Sequence, residues 1–97
     1  MEVAINAHMN IGDTFTDILE SNPTTGYRWS IVDSKSLSIQ DEYIPPAYGN
    51  LVGSGGFHRW RVTPTNPGTY SFVLIYSRPF ETDVAPVKVR YYTLNVY

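Results

Sequence analysis

Apolar side chains recur at every second position through much of this chain. Tyr27, Trp29 and Ile31 alternate with Arg28, Ser30 and Val32, and His58, Trp60 and Val62 alternate with Phe57, Arg59 and Arg61. Tyr70, Phe72, Leu74 and Tyr76 alternate with Ser71, Val73 and Ile75, and Tyr92, Leu94 and Val96 alternate with Tyr91, Thr93 and Asn95. A period of two marks a strand that lays one face on a core. The pattern predicts strands at about Glu2–Ala7, Asp13–Glu20, Tyr27–Asp33, Leu37–Ile44, Phe57–Thr63, Thr69–Ser77 and Val87–Tyr97. In the second of these the alternation is imperfect: Phe15 and Asp17 face one way, and Thr14, Thr16 and Ile18 the other. The sixth is apolar on both faces, as a central strand should be. No helix-length pattern and no internal repeat occurs.

The stops between strands are chemically distinct. Pro45-Pro46 cannot donate to a ladder and ends the fourth strand. Pro67-Gly68 sets a fixed φ before a residue free to take a positive one, which makes a tight corner. His8–Gly12 reads as a turn. Seven short strands punctuated in this way predict an all-β, immunoglobulin-like sandwich of antiparallel strands forming one domain over residues 1–97. Trp29 should fill the central core position, with Trp60 and Val62 beside it and Arg59 and Arg61 in water. Tyr70 should make a tyrosine-corner hydrogen bond to upstream backbone.

Every second connection is rich in glycine and proline. These are Ser21–Gly26, Pro45–Gly56 (ending Gly53-Ser54-Gly55-Gly56) and Arg78–Pro86 (opening Arg78-Pro79-Phe80). Successive antiparallel strands reverse direction, so alternate connections emerge at one end. The three loops should therefore form one composite surface. The second and third are long for hairpin connections, and long loops clustered at one end are more often functional than accidental.

Composition narrows the function classes. The net charge is −2 with seven basic residues in no cluster, so the basic footprint of a nucleic-acid binder is missing. No apolar run is long enough to span a bilayer. Residues 1–20 lack the pattern of a secretory leader, which leaves a cytoplasmic or lysosomal/vesicular location as the expectation. There is no cysteine, so no disulfide and no cysteine zinc site can form. Eight tyrosines favour β structure and also suit recognition surfaces.

Catalytic chemistry finds little to work with. His8 and His58 are far apart in sequence and form no ligand spacing, and no metal or other cofactor is expected. Ser54 has Val52 where a nucleophile elbow needs glycine. The Gly53–Gly56 run has His58 at the third glycine position of a dinucleotide loop, and it has no Lys-Ser/Thr for phosphate. The acids are scattered. A binding role is expected, with no catalytic residue.

Each loop suits contact with another chain. Pro23 restricts Asn22, and Gly26 permits a tight exit, leaving Thr24 and Thr25 at the tip. Three glycines within Gly53–Gly56 leave bare backbone open to approach. Arg78 and Phe80 flank a rigid Pro79, and arginine and aromatic residues are preferred interface anchors. Tucking of Phe80 under its own loop is the alternative.

Taken together, Asn22-Pro23-Thr24-Thr25-Gly26-Tyr27, Gly53-Ser54-Gly55-Gly56 and Arg78-Pro79-Phe80 resemble, in order and spacing, the signature of the chagasin-type inhibitors of cysteine peptidases. One departure is Phe80, where the family has Trp; the smaller ring offers less area and no indole N–H. The resemblance implies an immunoglobulin-like fold and reversible, tight inhibition of papain-like enzymes of papain or cathepsin type, by a protein that is monomeric when free. It implies that the Asn22–Tyr27 loop wedges into the cleft, that Gly53–Gly56 pairs by backbone beside it, and that Arg78 and Phe80 grip the opposite wall. Two other readings use the same fold: an adhesion module with a non-peptidase partner, and a carbohydrate-binding module using Tyr43, Tyr48 or Tyr91.

Overall fold

The computed structural model describes residues 1–32, 37–46 and 55–97. The strands are β1 (Glu2–Met9), β2 (Phe15–Ser21), β3 (Arg28–Val32), β4 (Ile39–Ile44), β5 (Gly56–Val62), β6 (Gly68–Ser77) and β7 (Lys88–Val96). They form two sheets, one in the order β1-β7-β6-β3 and the other β2-β5-β4. This is the expected immunoglobulin-like sandwich. Its first strand lies beside the last, rather than in the sheet of β2.

That placement departs from the antiparallel expectation in one pair: β1 runs parallel to β7, from Glu2↔Val89 to Met9↔Val96. The pairing extends β1 two residues beyond the predicted Ala7. His8 therefore sits in the ladder opposite Asn95 and not in a turn, with Nδ1 2.8 Å from the hydroxyl of Tyr97. Backbone bonds on either side of the pair, Val89 N to Met1 O at 2.9 Å and Tyr97 N to Met9 O at 2.9 Å, fasten both ends.

The inward faces follow the period of two. Trp29, Trp60, Val62, Phe72, Leu74, Tyr76, Tyr92, Leu94 and Val96 are all buried, with Leu19 among them. Ile31, Leu37 and Ile39 pack against this core. Arg61 is exposed as expected, whereas Arg59 is half-buried and pairs with Glu42. The Tyr70 hydroxyl donates to the carbonyl of Asn66 at 2.8 Å, which is the tyrosine-corner bond anticipated after the Pro67-Gly68 corner.

The imperfect alternation of β2 has a specific cause. Asp17 faces inward with Phe15, Leu19 and Ser21, and its Oδ2 accepts from the Tyr92 hydroxyl at 2.6 Å and from Arg90 Nη2 at 3.2 Å. A carboxylate turned toward the core is tolerable because it is paired. Burial first, and the hydrogen bond to Asp17 second, hold the Tyr92 phenol well above its ordinary value.

Candidate functional site

Strands β2, β4 and β6 end where β3, β5 and β7 begin, with Ser21 and Ile44 flanking the start of β5 and Ser77 beside Arg28, so the strand ends that flank the three connections lie together. Contacts between the loops confirm the convergence. At the first loop's start, a Cβ built on Gly55 would lie 3.3 Å from Ser21 O and 3.4 Å from Asn22 Cβ. At its exit, one built on Gly26 would lie 2.9 Å from a ring carbon of Phe80. The first loop thus stands between the other two.

Its backbone is a single 3-10 turn, Pro23–Thr25. Asn22 caps it: Oδ1 accepts from Thr24 N at 3.2 Å and from Thr24 Oγ1 at 2.5 Å. The carbonyl of Asn22 accepts from Thr25 N at 3.2 Å and from Thr25 Oγ1 at 2.7 Å. Gly26, at φ 85°, closes the turn by donating to Pro23 O at 3.0 Å, and a left-handed residue there is best supplied by glycine. Asn22 N donates to the hydroxyl of Tyr76 at 3.2 Å, which ties the turn to the core. Pro23, Thr24 and Thr25 are exposed, while both threonine hydroxyls are bonded within the turn. Tip geometry is therefore set before any partner arrives.

Tyr27 lies beneath this turn, half-buried. Its ring stacks on Tyr76 at 5.3 Å, and Tyr76 packs in turn on Trp29 at 4.9 Å. The guanidinium carbon of Arg78 sits 4.4 Å from the Tyr27 ring centroid, on a path that a cation–π contact favours. Nε of Arg78 donates to Thr25 O at 3.0 Å, and Nη1 pairs with Glu81 at 3.2 Å. Arg78 and Tyr27 are thus brought into the site as its internal supports.

Phe80 is different. A tight turn, Glu81 N to Arg78 O at 3.0 Å, carries Pro79 and Phe80 outward, and Phe80 is 71% exposed. Its ring edge rests over Gly26 and is not folded under the third loop.

In the second loop, Gly55 is exposed and Gly56 is buried. A Cβ on Gly56 would sit 2.2 Å from Ile44 O and 2.8 Å from the Tyr43 hydroxyl. The fold itself therefore requires glycine at 56, where β5 pairs Ser21 of β2. Packing within the fold thus accounts for glycine at 56, independently of the expected approach of a partner's backbone. Gly53 and Ser54 lie outside the described residues. A groove of about 410 Å³ lies among the strand ends that flank the loops, with Ser21, Asn22, Gly55, Tyr76 and Lys88 in its walls.

Elsewhere the chemistry is structural. His58 Nε2 lies 2.7 Å from Asp41 Oδ2, and its ring stacks on Trp60 at 4.6 Å, as expected of a strand histidine. Among the described residues, no cluster of His, Asp and Glu could hold a metal ion. Tyr43 in β4 and Tyr91 in β7 belong to different sheets, and the Tyr91 hydroxyl donates to Glu2 at 2.8 Å. They make no common stacking platform for a sugar, and Tyr48 lies outside the described residues.

Comparison with known proteins gives a consistent picture. The family described as Chagasin family peptidase inhibitor I42 matches residues 8–96. Amoebiasin-1 of Entamoeba histolytica is 36% identical over 70 residues, which is 71% of this chain and 69% of that protein. Chagasin of Trypanosoma cruzi is 31% identical over 77 residues, 72% of this chain and 69% of that one. The crystal structure of the cysteine protease inhibitor EhICP2 from Entamoeba histolytica superposes with a TM-score of 0.72 at 25% identity, covering 99% of this chain and 94% of that one. Three loops on one rim, a preset turn at its centre and a family match across nearly the whole chain lead to one conclusion: this protein belongs to the chagasin family of peptidase inhibitors, proteins that block enzymes and are not enzymes themselves.

Proposed function

We propose that this protein reversibly inhibits papain-like cysteine peptidases by seating the Pro23–Thr25 turn in the active-site cleft, with Gly55 and Phe80 contacting its two walls. The observation that carries this reading is the contact of the first loop with both others, Gly55 against Asn22 and Phe80 against Gly26. A cleft enzyme is met by a wedge with a flank on each side. Hydroxyls of Thr24 and Thr25 are already bonded, so little loop entropy is lost on docking. The turn also presents no extended peptide in a register that could be cleaved. Within this arrangement Asn22, Gly26, Tyr27 and Arg78 shape the surface, while Thr24, Thr25, Gly55, Pro79 and Phe80 meet the enzyme. An interface of standard size, about 1,600 Å², supports nanomolar binding when its anchors are well placed.

Titration of papain with the protein, read with a dipeptidyl fluorogenic substrate, tests the proposal. Stoichiometric loss of activity is the expected result, and full activity at micromolar protein overturns it. Phe80→Ala, at an exposed position, should leave the melting temperature unchanged and raise the off-rate more than it lowers the on-rate. Thr25→Trp should fold and inhibit poorly.

A further inference from the structure

Resting on that reading, we propose that Phe57 is a fourth contact with the peptidase, outside the three loops, carrying the docked surface onto the outer face of the β2-β5-β4 sheet.

The chain has four phenylalanines. Phe72 is buried and Phe15 packs against the core. The other two face solvent, Phe80 at 71% and Phe57 at 45% exposure. Both belong to the loop end. Phe80 rests at the exit of the first loop, over Gly26. Phe57 pairs with Glu20 on the strand that leads into that loop, two residues from Gly55, which abuts Asn22. The turn that enters the cleft is therefore flanked by an exposed aromatic ring at its start and another at its exit.

Strand parity explains why Phe57 points outward. Trp60 and Val62 are buried on the inner face of β5, which leaves Phe57, Arg59 and Arg61 on the outer one. Three rows cross that face. The row nearest the rim is Glu20–Phe57–Ile44, the next Ile18–Arg59–Glu42, and the third Thr16–Arg61–Gln40. Arg59 pairs with Glu42, and Arg61 lies 3.7 Å from the same carboxylate. Exposed apolar surface, Phe57 in the first row and Ile18 in the second at 52%, lies in the two rows nearest the rim and gives way to Thr16, Arg61 and Gln40 in the third. A ring held out of the core by strand parity, continuous with the docking rim, has the character of an interface anchor, where aromatic residues are enriched. The occupant is the peptidase surface bordering its cleft on the side of the second loop.

Binding kinetics against papain test the assignment. Phe57→Ala and Phe57→Thr, the latter keeping a good strand former in place, should each raise the off-rate about tenfold with little change in on-rate. Phe57→Tyr should restore wild-type kinetics, and Arg61→Ala, in the third row, should match wild type. A fluorine label on the Phe57 ring should shift its resonance when papain is added. Wild-type off-rates in both Phe57→Ala and Phe57→Thr, or an unmoved fluorine resonance in a stoichiometric complex, overturn the fourth contact and leave the inhibitor reading intact. Failure of the unmutated protein to bind papain overturns both.

Discussion

The Nε of Arg78 donates a 3.0 Å hydrogen bond to the carbonyl of Thr25, so the third loop holds the tip of the first from 53 residues away. The same guanidinium lies over the Tyr27 ring and pairs with Glu81. An arginine whose fork is engaged in this way acts by keeping the wedge in shape. Rigidity built in before docking reduces the entropy lost on binding.

Arg78→Lys keeps the charge but not the planar fork that bonds Thr25 and covers Tyr27. It should weaken inhibition about tenfold, on the order of 1.4 kcal/mol, and lower thermal stability only slightly. Tyr27→Leu should weaken inhibition similarly. In the double variant the two losses should fall short of their sum, because each removes the same support. Strictly additive inhibition constants would show that the two side chains act separately.

Two adjacent glycines should respond in opposite ways. Gly56→Ala drives a methyl to 2.2 Å from the Ile44 carbonyl, a backbone atom in a ladder, and should destabilise the protein by about 3 kcal/mol. Gly55→Ala meets Ser21 O at 3.3 Å on an exposed stretch and should fold nearly as well as wild type. Gly55→Val should also remain folded, yet lose about 2 kcal/mol of peptidase binding. Urea unfolding and papain titration on the same preparations separate the two effects; a normally stable Gly56→Ala would contradict the packing described here.

The two tryptophans divide along another line. Trp29 Nε1 donates to Glu20 O at 3.0 Å, whereas the buried Nε1 of Trp60 has no hydrogen-bond partner among the described residues. Replacing either with Phe removes similar apolar area. Trp29→Phe, however, also loses a hydrogen bond at the strand that leads into the wedge, and should cost about 1 kcal/mol more than Trp60→Phe in urea unfolding. Trp60→Ala should cost about 3–5 kcal/mol, the range for a deleted core aromatic.

Stability should also fall in alkali. Burial and the bond to Asp17 keep Tyr92 protonated in the folded state above the ordinary phenol value of 10.0, while the unfolded chain releases its proton there. The folded state then binds more protons than the unfolded one. The stabilisation is whole below that value and is lost as pH rises above it. Tyr92→Phe should be less stable at neutral pH, yet show a shallower decline in melting temperature between pH 9 and 11. An identical slope in both proteins would remove Tyr92 as the cause.

Much of this was legible in the residues themselves. Alternation in Phe57–Val62 and Tyr70–Tyr76 assigned the buried faces correctly, because a two-residue period needs only neighbours to express itself. Asn22, Pro23 and Gly26 announced a tight turn for the same reason: capping and a positive φ are local matters. The parallel seat of β1 against β7 carried no local sign, since either hydrogen-bonding direction suits an alternating strand. Asp17 looked like a flaw in β2 until Arg90 and Tyr92, more than 70 residues on, supplied its partners.

Sequence alone settled the approximate course of the strands, the tight turn at Pro23–Gly26 and the motifs the chain shares with its family, because these depend on bonding within a few residues. Only the folded arrangement decided what the described residues at and beside the loops are set against. Gly56 is bare because Ile44 leaves no room, Arg78 faces Thr25, and Phe57 stands beside the rim. Those roles are distances between parts of the chain that touch only once two sheets have closed over a common core.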